Sequence, residues 1–299
     1  MAYYKDILDS IGHTPLIRIN KLCPNTSVNI YAKVEGTNPT GSIKDRIALK
    51  MIEQALAEGA LTKDMTIIEA TSGNTGIGLA MIGAVLGIKV VIVMSSAVSI
   101  ERQKMIRAFG AQIITTSAKD GTDGAIRKAR ELVQQYPDLY FTPDQFSNRY
   151  NRLAHYSITA EEIIADAPER ITHFVSAVGT SGTIMGIGSR LKELDSDIKV
   201  VIAHPVKKHY IQGLKNMEEA IVPALYDPSM IDITVSVESE AAFAMARDIV
   251  TQEGIFVGMS SGAAMLAAAE VAKTIDRGAI VCIFPDRGEK YLSTKLFEF

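Results

Sequence analysis

The chain has 299 residues, which at roughly 150 residues per domain fits two domains, each long enough to bury its own core. Its 47% hydrophobic and 22% charged residues are ordinary for a globular protein, and a formal net charge of -3 supplies no basic excess to hold a nucleic-acid backbone. Two cysteines far apart in sequence, Cys23 and Cys282, point to reduced, buried thiols and exclude a disulfide framework or a cysteine zinc site.

The first residues, Met1 to Asp6, are acidic and aromatic where a secretory signal has a basic start and an apolar run, so the expected location is the cytoplasm. From about residue 42 onward helical and strand-like segments alternate, the pattern of a parallel sheet covered by helices on both faces, and the expected fold class is α/β. In the first helix Ile43, Ile47, Met51 and Ile52 share one face, Ser42 is placed to cap it with Asp45 three residues on, and Gly59 is placed to end it. Strands are expected at 65–69, 88–94 and 112–115, with helices that start near Thr75 and Ser99 and end near Gly87 and Gly110. The apolar run from Ile77 to Met94 is divided by Gly87 and Lys89, so it reads as a buried helix followed by a buried strand and not as a membrane span. A second series begins after Gln145, with strands near 174–178, 199–203 and 280–284 and helices after Gly182, Ser239 and Ser261. Two parallel-sheet α/β domains are therefore expected to pack with a ligand crevice at the carboxyl ends of their strands.

Four segments carry residues suited to chemistry. Asn38 to Arg46 places Lys44 in the first turn of a helix, where the positive end of the helix dipole favours the neutral amine that forms an imine with an aldehyde; taken alone, a solvated lysine is the commoner case. Thr71-Ser72-Gly73-Asn74-Thr75-Gly76 follows a strand and opens a helix, so backbone N–H groups and three hydroxyls suit a carboxylate and Asn74 suits a phenolic oxygen, although a plain capping turn has the same composition. Gly179-Thr180-Ser181-Gly182-Thr183 is a glycine loop without the lysine of a P-loop and without dinucleotide spacing, which fits a compact phosphate. Gly258 to Ala263 is another small-residue turn, of a kind that most often only caps a helix. Pyridoxal phosphate needs an imine-forming lysine, a phosphate cradle, a partner for its ring nitrogen and a site for the substrate carboxylate, and these four segments supply candidates for all four. His13, His155, His173, His204 and His209 lack ligand spacing and read as structural or surface residues, with no metal implied.

Taken together, these motifs resemble the cysteine synthase family of fold type II pyridoxal-phosphate enzymes. The resemblance runs from Ile11-Gly12-His13-Thr14-Pro15-Leu16 through the lysine and asparagine segments to Asp286-Arg287-Gly288-Glu289-Lys290-Tyr291, and the glycine loop with that last run is most similar to the cysteine synthase B branch. It implies a tryptophan synthase β-like architecture with the active site between two domains, 36–144 and 1–35 plus 145–299. By position it implies that Lys44 holds the cofactor, Asn74 its ring hydroxyl, Gly179, Thr180, Ser181, Gly182 and Thr183 its phosphate, and Ser260 its ring nitrogen. Thr71, Ser72, Gly73, Thr75 and Gln145 would meet the substrate carboxylate, and Lys215 would meet the phosphate of an O-phosphoserine substrate. The implied reaction replaces the leaving group of an activated serine by a sulfur donor, through an aminoacrylate, to give cysteine. The resemblance also implies a homodimer and leaves a contact with a serine acetyltransferase open. A cystathionine β-synthase is the nearest rival reading, and a non-catalytic binding paralogue is disfavoured because Lys44 and Asn74 are both kept. The chain departs from the family pattern at Ser95 and Ser96 after Met94, at Arg149, and at Ala160-Glu161-Glu162-Ile163.

Overall fold

A computed structural model describes residues 3–71 and 73–298. In chain order the strands are β1 (Leu16–Ile19), β2 (Val28–Val34), β3 (Thr66–Ala70), β4 (Lys89–Ser95), β5 (Gln112–Thr116), β6 (Tyr140–Phe141), β7 (Ile171–Ala177), β8 (Lys199–Pro205), β9 (Ile233–Val237) and β10 (Gly278–Phe284). The helices are α1 (Lys44–Ala57), α2 (Asn74–Leu86), α3 (Ile100–Ala108), α4 (Gly121–Gln135), α5 (Arg149–Ala154), α6 (Ala160–Asp166), α7 (Gly182–Leu194), α8 (Ser239–Asp248) and α9 (Met259–Thr274). None of them, among the described residues, is long and apolar enough to cross a membrane.

The chain divides into two compact units. One comprises the chain up to Ile11 with Asn38–Asn151, the other Gly12–Thr37 with the chain from Arg152 onward. The expected boundaries at 35/36 and 144/145 therefore differ from the observed ones, and the first residues group with α1 to α4 because Leu8 and Ile11 pack on the core formed by Ile52, Ile67, Ile82 and Ile92.

In the first unit four parallel strands are ordered β5-β4-β3-β6. β3 is buried along its whole length, the mark of a strand covered on both faces. The period in α1 is as the sequence suggests: Ile43, Ile47, Met51 and Ile52 are all buried, and Gly59 adopts φ +72° after the helix ends. The capping arrangement is not. Ile43 is the residue before the helix, and the Asp45 carboxylate accepts the backbone N–H and the hydroxyl of Thr40 and does not close a box with Ser42. The turn at Gly41, with φ +77°, brings Thr40 over the first helical turn and takes the acceptor.

The second unit holds a six-stranded sheet in the order β1-β2-β10-β7-β8-β9, parallel except for the antiparallel β1–β2 pair. α9 lies on this sheet with an all-small face that includes Ala263, Ala264, Ala267, Ala268 and Ala272, all fully buried. Cys282 on β10 is fully buried, whereas Cys23, expected to be buried too, is half-buried in the β1–β2 connection with its Sγ donating to the carbonyls of Asn25 and Val28. Burial pushes the Cys282 thiol far above the ordinary range, which leaves it inert as a nucleophile.

Lys33 on β2 is fully buried and donates to the Thr14 carbonyl at 2.6 Å. It pairs with Glu162 at 2.9 Å and Asp166 at 3.3 Å, both on α6. Glu162 also accepts the backbone N–H of His13, a residue held at φ +49°. The side chain of Glu162 is 12% exposed and that of Asp166 47%, so the first bears most of the burden of compensating the buried ammonium. Glu162→Ala is expected to lower stability by about 3 kcal/mol and Asp166→Ala by under about 1 kcal/mol, as read from urea midpoints. Equal losses would contradict this division.

Candidate active site

β3 ends at Ala70 and α2 begins at Asn74, so the intervening turn sits where helical N–H groups lack intrahelical partners. Thr71 is buried and its N–H donates to the Val93 carbonyl of β4 at 3.0 Å, which extends the sheet by one residue. Gly73 has φ +154° and ψ -80°, and a Cβ there would lie 2.3 Å from Cδ of the buried Arg102 on α3, so both conformation and space require glycine. The Thr71 hydroxyl accepts the Gly73 N–H at 3.3 Å. Ser72, expected at this site, lies outside the described residues.

Thr75, in the first turn of α2, is 2% exposed and its hydroxyl donates to Oε1 of Gln145 at 2.7 Å. Gln145 is itself 3% exposed, and its carbonyl accepts Nδ2 of Asn151 at 2.7 Å. Beneath it lies Glu69, the fourth residue of β3, whose carboxyl oxygens accept the N–H groups of Asp144 at 2.9 Å and Gln145 at 3.3 Å. The Glu69 carboxyl is buried, and desolvation raises its pKa to about 8 against the lowering effect of these donors. In the sequence Glu69 stands only at the end of an expected strand, and the signal that marks it is a carboxylate in a strand buried on every residue. Lys44 is the first residue of α1, half-buried, with its N–H donating to Oγ of Ser42 at 3.3 Å.

In the second unit β7 leads into the glycine loop. A Cβ on Gly179 would lie 2.4 Å from the Gly213 carbonyl oxygen, so the loop is held against the segment 213–215, and the N–H of Lys215 donates to the Val178 carbonyl at 2.8 Å. Ser181 adopts φ +66° directly before α7, a left-handed geometry that a serine rarely takes, and its buried Oγ has no partner. Thr180 is buried as well. Backbone amides at this helix start, with an unpartnered buried hydroxyl among them, fit a bound phosphate.

The sequence reading also set His155 aside, and the structure gives it a place at this loop. α5 and α6 are joined by a π-type turn, His155–Thr159, which packs against α7 where a Cβ on Gly186 would lie 2.4 Å from the Arg152 carbonyl. His155 is fully buried there, with Nδ1 3.0 Å from the Thr159 hydroxyl and Nε2 3.2 Å from the Thr183 hydroxyl. An isolated histidine carries no spacing signal, so only the fold reveals this contact.

Ser260 is the second residue of α9 and 6% exposed. The turn before it is tightly packed, since a Cβ on Gly258 would lie 2.2 Å from Oδ1 of Asp286 and 2.4 Å from the Tyr291 ring. Tyr291 in turn donates its hydroxyl to Oδ2 of Asp286 at 2.6 Å. The helix starts at Met259, two residues before the expected position. Lys215 is half-buried and its Nζ donates to the Ile221 carbonyl at 3.4 Å. The site residues thus form two groups, each within one unit: Lys44, Thr71, Gly73, Asn74, Thr75 and Gln145 in the first, and Gly179 to Thr183, Lys215 and Ser260 in the second.

A family model described as pyridoxal-phosphate dependent enzyme matches residues 7–286. The chain is 48% identical to a cysteine synthase of Aquifex aeolicus (strain VF5), over 97% of this chain and 91% of that protein. It is 39% identical to the cysteine synthase B of Pseudomonas aeruginosa, over 99% of this chain and 98% of that one. The crystal structure of the cysteine synthase (OASS) from Entamoeba histolytica superposes with a TM-score of 0.94 at 39% identity, covering 100% of this chain and 92% of that chain.

A carboxyl whose folded pKa is raised binds its proton more tightly in the native state than in the unfolded one, so its contribution falls as pH rises from its ordinary value near 4.5 to about 8. Glu69→Gln, which is neutral throughout, should therefore gain on the wild type across that window by an amount on the order of a few kcal/mol. Thermal melts of both proteins between pH 5 and 8 check this. Parallel curves would contradict it.

Proposed function

The chain belongs to the family of pyridoxal-phosphate-dependent enzymes, of the fold type II class, and on that premise we propose that it makes L-cysteine by replacing the acetyl ester of O-acetyl-L-serine with a sulfur donor such as sulfide. The observation that carries the reading is the placement of Lys44 as the first residue of α1, in the same unit as a buried hydroxyl–amide pair, Thr75 and Gln145, at the start of α2. When bound, pyridoxal phosphate supplies an electron sink for the bond to the α-hydrogen of an amino acid. Lys44 Nζ would hold it covalently, and Asn74 would serve its ring hydroxyl, Gly179 to Thr183 its phosphate and Ser260 its ring nitrogen.

Lys44 Nζ would also be the base that removes the substrate α-proton. The Cβ–O bond breaks and acetate leaves with the electron pair. Sulfur then bonds to Cβ, and Lys44 returns the proton to Cα. Thr71, Gly73, Thr75 and Gln145 orient the amino-acid carboxylate with donors already fixed in place, which removes reorganisation from the reaction, and Ser72 is assigned the same carboxylate. Ser260 is a neutral hydroxyl and does not hold a ring nitrogen protonated as a carboxylate would, so expulsion of a β-substituent is favoured over transamination. The same reading takes the protein as a cytoplasmic homodimer.

Lys215 is the residue that separates esters in this proposal. It is joined through its backbone to Val178 at the root of the glycine loop, and its ammonium attracts a phosphate as a point charge without the bidentate fork of an arginine. O-phospho-L-serine is accordingly a second substrate.

Lys44→Ala should lower cysteine formation by at least ~10³-fold, measured as product from O-acetylserine and sulfide. Activity near wild type would overturn the assignment, and faster turnover with homocysteine than with sulfide would move it to cystathionine synthesis. Lys215→Ala should weaken turnover of O-phosphoserine by about 10-fold while leaving O-acetylserine within about 2-fold. Equal losses on both esters would remove Lys215 from substrate selection.

A further inference from the structure

The proposed carboxylate site rests on Thr75 and Gln145, and neither side chain would stay in place unaided. Gln145 follows Asp144, a non-glycine residue held at φ +45°, in the segment after β6 that has no strand or helix to fix it. What fixes it is Glu69. The two carboxyl oxygens of Glu69 accept the consecutive N–H groups of Asp144 and Gln145. Oε1 of Gln145 then accepts the Thr75 hydroxyl. With Oε1 engaged by Thr75, the side-chain nitrogen of Gln145 carries two N–H groups suited to a ligand carboxylate. We propose that Glu69 is a positioning residue for the amino-acid substrate: it fixes the backbone at Asp144 and Gln145, and with the Thr75 hydroxyl tethering Oε1 this presents the Gln145 side-chain nitrogen to the substrate carboxylate. This inference rests on the cysteine-forming reading given above.

The electrostatics add a direction. Asp144 is the charged group set against Glu69, while β4 presents Ile92 at the paired position and α2 presents Thr75, neither of them ionisable in this range. An ionised Glu69 would repel a substrate carboxylate and draw the Gln145 amide toward itself, whereas the neutral acid does neither. Burial keeps the acid neutral up to about pH 8.

The test uses the cofactor-loaded enzyme and L-serine, whose hydroxyl is a poor leaving group, with binding followed by the visible absorption of the cofactor. Glu69→Ala should weaken L-serine binding and raise KM for O-acetylserine by about 10-fold or more, with a smaller effect on kcat. Glu69→Gln, which keeps an acceptor and stays neutral, should restore most of the loss. Its L-serine affinity should also rise relative to that of the wild type as pH passes through about 8, where the wild-type carboxyl ionises. If the alanine variant does not fold, the pH comparison of wild type with the glutamine variant decides. Unchanged L-serine affinity in the alanine variant, no rescue by glutamine, or identical pH profiles would each overturn the inference. A wild type that binds no L-serine and consumes no O-acetylserine would instead overturn the functional reading on which it rests.

Discussion

In a parallel sheet every strand delivers its chain to the first turn of a helix, where backbone N–H groups have no acceptor within the helix. In a buried turn those donors must be met by side chains or by a ligand. The molecule repeats this arrangement where β3 enters α2 and where β7 enters α7, and in both places it surrounds the donors with buried hydroxyls and amides. A site for anions follows from the topology, and the residue types decide which anion.

The two turns meet that constraint differently. At β3–α2 the polar groups are joined to one another: Thr71 to Gly73, Thr75 to Gln145, and Gln145 to Glu69. That network orders donors in advance of a ligand, at the cost of burying a carboxyl. At β7–α7 the chain takes a left-handed serine and leaves its hydroxyl unmatched, a local strain stored in the turn. In both turns glycine stands where a side chain would strike its neighbour, at Gly73 against Arg102 and at Gly179 against the Gly213 carbonyl. The backbone can thus approach a ligand closely.

The repeating elements were legible from sequence because their patterns are strong. The run from Ile77 to Met94 resolves into α2 and β4, split at Gly87 with φ +69°, and the apolar face of α1 is buried as its period requires. The alternation of Val28, Ile30, Ala32 and Val34 with Asn29, Tyr31 and Lys33 in β2, and the apolar stripe of Ala125, Ile126, Ala129, Leu132 and Val133 in α4, are legible in the sequence too, although the expected elements omit both. The proposed site residues Lys44, Asn74, the glycine loop and Ser260 lie in contiguous motifs, which is why the sequence alone suggests them. Residues that act through distant contacts carry no such pattern. Glu69 reaches across 76 residues to Gln145, and His155 across 28 to Thr183. The capping box at Ser42 failed for a similar reason, since a left-handed glycine at position 41 redirected the Asp45 acceptor to Thr40.

The proposed reaction is a replacement in two separable halves, with the leaving group gone before sulfur arrives. The most direct measurement is acetate release when the cofactor-loaded enzyme is mixed with O-acetylserine and no sulfur donor. The account predicts a rapid burst of about one acetate per chain, then cysteine only on later addition of sulfide, and no burst from a Lys44→Ala enzyme. Acetate release that requires sulfide to be present, or a burst that survives loss of Lys44, would contradict it.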